Sequence, residues 1–119
     1  MYNDIGVAMS ILGSCVFTGS SGSRYQFTSY TTDHEFEDTS AVYILSKSRI
    51  ENKKRFHSVM YIGESSELST RLSHHQHLDE SINSILVMYI PSKTDRLRVE
   101  RDLIEHYNPP RNVEYTQRV

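Results

Sequence analysis

Three short apolar runs, Val42–Leu45, Val59–Ile62 and Ile85–Ile90, set the main limit on what this chain can build. Runs of this length, rich in branched and aromatic residues, read as strands rather than helices. Gly63 punctuates the second run and Pro91 stops the third. A helical pattern follows the second run, starting at Ser65 or Ser66 and reaching about His77, with Leu68, Leu72 and His75 on one stripe. Another follows the third, capped by Thr94 and reaching about Tyr107, with Leu97, Leu103, Ile104 and Tyr107 as its apolar stripe. Asn108-Pro109-Pro110 ends it, because a residue before proline avoids the helical region. The order strand–strand–helix–strand–helix predicts an α+β fold: a small, three-stranded, mainly antiparallel sheet flanked by helices.

Upstream, Cys15–Thr18 and Arg24–Tyr30 flank the turn Gly19–Ser23, which predicts a β-hairpin. Thr31–Ser40 reads as a polar, acidic loop. Residues 1–39 therefore form an N-terminal extension, 40–113 the main domain and 114–119 a tail. The 119 residues suit one compact domain, and 37% hydrophobic residues supply one modest core. Ile5–Phe17 reads as a core segment; it ends in a lipoprotein-like Leu12-Gly13-Ser14-Cys15 but lacks a basic leader, and Asp4 precedes it. No run has membrane-spanning length. The single cysteine excludes an internal disulfide framework and a multi-cysteine zinc site. A reducing setting fits best, cytoplasmic or, in a eukaryote, nuclear.

The net charge of −2 does not announce a nucleic-acid partner, but its distribution is uneven. Residues 1–40 hold five acids against Arg24 alone, so the rest of the chain is net positive. Lys47, Arg49, Lys53, Lys54 and Arg55 cluster in a basic connection, Ser46–His57, between the first two strands. That loop is a candidate surface for a phosphate backbone.

Six side chains stand out. Glu100 falls angularly between Leu103 on one side and Leu97 and Ile104 on the other, where a carboxylate is costly unless paired, protonated or bound to a metal. Its ordinary reading is an ion pair with Arg96 or Arg101. Arg71 and His75 leave the same helical face one turn apart, a guanidinium that can grip phosphate beside an imidazole that can carry a proton. Their ordinary reading is an amphipathic helix with outward side chains. His74 and His77 point to other faces and read as surface residues, so a three-histidine metal site is not expected. Tyr43 and Tyr61, in adjacent strands, are on their own unremarkable strand tyrosines. Asn112 is on its own a turn residue.

Together, the order and spacing of these residues resemble the GIY-YIG nuclease family. Ala41-Val42-Tyr43 stands at its first motif, Tyr61-Ile62-Gly63 at its second, and Arg71, His75, Glu100 and Asn112 at its later positions. The resemblance covers about residues 40–113; Ala41 replaces a glycine, and the connection from Tyr43 to Tyr61 is longer than in the compact form. It implies a metal-dependent DNA endonuclease. Glu100 would hold one Mg²⁺ or Mn²⁺, Arg71 would neutralise phosphoryl charge and Tyr43 would be the general base with His75 as its proton acceptor. Tyr61 would orient phosphate or water, and Asn112 would buttress the site. The same fold without chemistry, as a nucleic-acid-binding or protein-interaction module, is the alternative. A homodimer or partner protein would supply specificity that so short a chain lacks.

Overall fold

The computed structural model describes residues 11–75 and 80–112. The expectations at Asp4, in the front half of Ile5–Phe17, at His77 and in the tail 114–119 fall outside those residues. The described chain forms one five-stranded antiparallel sheet: β1 Ile11–Thr18, β2 Arg24–Tyr30, β3 Ala41–Glu51, β4 Lys54–Ser65 and β5 Ser84–Tyr89. The spatial order is β1-β2-β5-β3-β4. The sheet thus exceeds the three strands expected. The N-terminal hairpin does form, but it joins the sheet through β2 and β5, with Thr28 opposite Val87 and Tyr30 opposite Ile85. The reason lies in β5, whose Ser84–Val87 stretch is buried throughout and needs a partner strand on both sides. Within β1 burial alternates, and Ile11 and Val16 are exposed, so Ile11–Phe17 is a half-buried strand rather than a core segment.

The expected basic loop Ser46–His57 is also β-structure. Strands β3 and β4 pair continuously from Ser46↔Val59 to Glu51↔Lys54, and a two-residue turn at Asn52-Lys53 closes them. Both turn residues have positive φ, 51° and 65°, the backbone twist that suits a tight hairpin. Glycine is the favoured second residue there, so the lysine hides the turn in the sequence. A β-bulge between Leu45 and Ser46 separates the core half of β3 from this ribbon.

Among the described residues two helices flank the sheet, α1 Leu68–Ser73 and α2 Lys93–Tyr107, and residues 110–112 are again helical. Helix α1 is shorter than expected, and no side chain of its own caps it: its N-cap is Glu67. Instead the acidic loop caps it from outside. Asp38 accepts from the Thr70 amide and hydroxyl at 3.0 and 2.9 Å, and the Leu68 amide donates to the Thr39 carbonyl. For α2 the cap is Ser92 rather than Thr94, its hydroxyl accepting from the Asp95 amide. Its buried stripe is Arg96, Val99 and Leu103, while Leu97 is 39% exposed. The stripe rotates because Arg96 turns inward to neutralise Glu64 on β4.

The helices cover opposite faces. Tyr43, Leu45 and Val87 pack with Leu68 and Leu72 on the α1 side; Val42, Ile44, Ile62 and Leu86 pack with Val99 and Leu103 on the other. Strand β3 therefore reads as an unbroken apolar run because its alternate residues feed two cores. Strand β4 is left at one edge of the sheet. No helix among the described residues is long and apolar enough to cross a membrane.

Candidate active site

Tyr43 is the buried centre of the candidate site, with no exposed surface. It lies directly opposite Gly63 across β3 and β4. A β-carbon at position 63 would stand 2.5 Å from the Tyr43 hydroxyl. The glycine does not end its strand, which continues to Ser65; it opens a path for the phenol to cross β4 toward the sheet edge. There the hydroxyl meets His75 Nε2 at 2.8 Å. Tyr61, two residues from Gly63 on the same face, packs its ring 4.8 Å from the imidazole and 6.0 Å from the Tyr43 ring. His75 is not on a helix: α1 stops at Ser73, and a tighter turn from the His75 amide to the Leu72 carbonyl carries the histidine back to the tyrosines. Position 41, where alanine stands for glycine, has no positive φ and is fully buried in the strand.

The second half of the site comes from the other face. As an edge strand, β4 presents amides and carbonyls that no further strand satisfies. Asn112 covers one pair, accepting from the Ile62 amide and donating to the Ile62 carbonyl, both at 2.8 Å. The Glu64 backbone, two residues on along the same edge, lies near enough to the Glu100 carboxylate to favour its ionised form. Both residues thus reach the β4 edge from the α2 side. Glu64 itself pairs with Arg96 at 2.9 Å, and Arg96 also donates to the Ile90 and Pro91 carbonyls. Glu100 consequently does not have Arg96 as its partner. Among the described residues Glu100 and Arg71 form no direct ion pair.

Electrostatics tie the halves together. Burial pushes the Tyr43 phenol well above its ordinary range, the Tyr61 phenol adds to this, and the Arg71 guanidinium beside it works in the opposite direction. Burial, with Arg71 and His74 nearby, lowers His75 to about 4. At neutral pH the proton therefore rests on the phenol, and the imidazole is uncharged. Glu100 is raised to about 7, first by burial and then by the Glu64 carboxylate, with Arg71 and Arg101 pulling it down. Arg71 acts on both the phenol and the carboxylate.

Among the described residues no group of three or more histidine, cysteine or acidic side chains is placed to hold a metal. Glu100 with Glu64 behind it nonetheless suits a hard cation that keeps most of its waters and takes only one or two carboxylates. The raised Glu100 carboxyl marks a site where added positive charge lowers a standing cost. Glu64 was missed from the sequence because the second strand was expected to end at Gly63.

The basic residues do not belong to this cluster. Arg49, Lys53, Lys54 and Arg55 sit on the β3–β4 ribbon, and Lys47 at its root; all five are exposed. A cavity of about 720 Å³ lies against α1 and the 32–36 segment and meets the cluster only at His75. Tyr43, Tyr61, Arg71 and Glu100 are absent from its lining, so the cluster lies along the β4 edge and not in that cavity. No family model, no curated protein and no solved structure matches this chain.

Proposed function

We propose that the protein is a metal-dependent endonuclease, of the GIY-YIG kind its sequence resembles, that hydrolyses DNA phosphodiester bonds with one Mg²⁺ or Mn²⁺ ion. The observation that carries this reading is the Tyr43–His75 hydrogen bond flanked by Tyr61, with Arg71 acting on both Tyr43 and Glu100. These are the residues the resemblance assigns to catalysis, and they come from β3, β4, α1, the turn after it and α2.

Glu100 would hold the cation, which supplies charge neutralisation at the scissile phosphate and at the departing 3′ or 5′ oxygen. Arg71, exposed at the mouth of the cluster, neutralises the non-bridging oxygens as negative charge grows on them. Tyr43 Oη takes a proton from the attacking water as it passes its own to His75 Nε2, the 2.8 Å contact being a ready path. The new P–O bond forms from that water, and the old ester P–O bond breaks. Tyr61, its ring packed against the imidazole, would orient the phosphate or the attacking water, and Asn112 would buttress the β4 edge without touching the reacting atoms.

The test is cleavage of supercoiled plasmid with Mg²⁺ by wild type, Glu100→Ala and Arg71→Ala. Wild type cuts, and each variant loses at least about a hundredfold in rate, the usual scale for one electrostatic donor. Equal activity in all three preparations would trace the cutting to a contaminant.

One observation favours a second reading, a nucleic-acid-binding module without hydrolysis. Asn112 satisfies the outward amide and carbonyl of Ile62 on β4, a structural duty that needs no metal. Titration of Mn²⁺ separates the readings. Under the nuclease reading wild type binds the ion and Glu100→Gln does not; under the binding-module reading neither does.

A further inference from the structure

The part of the hairpin beyond the sheet is a separate device. Pairing of β3 with β5 ends at Ser46↔Ser84, and Asn83 makes the last contact, to Ser48. From Arg49 to Phe56 the two strands pair only with each other. This bare ribbon carries Arg49, Lys53, Lys54 and Arg55 against a single acid, Glu51, which pairs with Arg49 at 2.7 Å, and all of them are exposed. Residues facing each other across the ladder share a face, and successive residues alternate faces. Arg49 and Phe56 therefore share one face, with the guanidinium 5.2 Å from the ring centre, and Ile50 and Arg55 share the other. Each face offers one arginine and one exposed apolar side chain, Phe56 at 42% and Ile50 at 64%. A hairpin that docked on a protein would concentrate its apolar groups on one side. A ribbon lodged between two polyanionic walls needs both faces alike.

We propose that this ribbon is a major-groove arm for duplex DNA, anchoring it to one side of the β4-edge site. The major groove is about 12 Å wide and 8.5 Å deep and admits a two-stranded ribbon, whereas that of duplex RNA is too narrow. Along β3 the ribbon tip at Asn52 lies about 30 Å from Tyr43 at about 3.3 Å per residue, or roughly nine base pairs. The offset rests on the nuclease reading; the groove binding does not. Lys53 adds an independent sign: it occupies a left-handed turn position where glycine would sit without strain, so its charge sits at the tip in spite of the backbone.

The experiment measures binding without divalent ions, so hydrolysis plays no part. Duplex DNA of about three helical turns, duplex RNA of equal length and anionic vesicles are titrated with wild type, with Lys53→Gly, and with a variant carrying Lys53→Gly, Lys54→Gln and Arg55→Gln. Lys53→Gly fits the turn geometry, so lost affinity in that variant is not lost folding. Wild type binds duplex DNA at least about tenfold more tightly than the other two probes. Lys53→Gly weakens DNA binding several-fold, and the triple variant lowers the slope of log K against log salt by about 2 to 3. Unchanged affinity and slope in the triple variant, or equal wild-type binding to RNA or vesicles, overturns the arm. Ribbon-dependent DNA binding by a protein that never cuts overturns the nuclease and leaves the arm standing.

Discussion

Gly63 and Tyr43 carry the most specific dependence at the level of single residues. The Tyr43 ring occupies the space a Gly63 side chain would take. Gly63→Ala is therefore expected to destabilise the fold by about 1–3 kcal/mol, the usual cost of forcing a methyl into a packed site, and to break the Tyr43–His75 contact. Urea unfolding checks the first; a stability equal to wild type would mean the phenol does not lie across β4. His75 gives a pH signature with a definite sign. Its folded value, about 4, lies below the ordinary 6.5, so the unfolded chain binds the extra proton. Stability from this residue is complete above about pH 6.5 and falls as pH drops toward 4, by up to about 3 kcal/mol. His75→Gln should flatten that acid limb, read as melting temperature against pH. Parallel wild-type and variant curves between pH 4 and 6.5 would place the imidazole in water.

At the scale of elements, the legible pieces were those whose local pattern and tertiary role agree. The core strands around Tyr43, Tyr61 and Val87 and the end of α2 at Tyr107 follow from apolar runs and prolines. The β3–β4 ribbon did not show, because each face carries only one apolar residue among polar ones and its turn is Asn-Lys instead of Asn-Gly. The joining of the N-terminal hairpin to β5 depends on partners distant in sequence, which local periodicity cannot carry. The cap of α1 was misplaced for the same reason: Asp38 supplies it from another segment. Lys53→Gly tests the turn directly. It should raise stability by up to about 1 kcal/mol by removing a left-handed lysine. A loss of stability would show that the turn is not left-handed at both residues.

For the whole molecule, the sheet edge is where fold and proposed function meet. Of the six residues singled out in the sequence, Tyr43, Tyr61 and His75 touch one another, Arg71 is coupled to Tyr43 and His75 through charge, and Glu100 is coupled to Arg71. Asn112 holds the strand. Helical spacing suggested that Arg71 and His75 share a side but not that the chain tightens before His75, and it placed Leu97 rather than Arg96 on the inner stripe of α2. Glu100, raised to about 7, makes the metal-free protein less stable as pH rises through that value, since its ionised form is the disfavoured one. At pH 8, allowing for its partial exposure, Glu100→Gln should be more stable than wild type by about 1–2 kcal/mol in chelator. Mg²⁺ should raise the melting temperature of wild type alone. A variant no more stable than wild type would place Glu100 in a solvated position.

The most direct measurement is single-turnover cleavage of an end-labelled DNA duplex by wild type and Glu100→Gln, with Mg²⁺ and with chelator, after circular dichroism has shown both proteins folded. The account predicts cutting by wild type with Mg²⁺ only, and none by Glu100→Gln under either condition. A folded wild type that leaves the duplex intact with Mg²⁺ and with Mn²⁺, or a Glu100→Gln variant that cuts as fast, would contradict it.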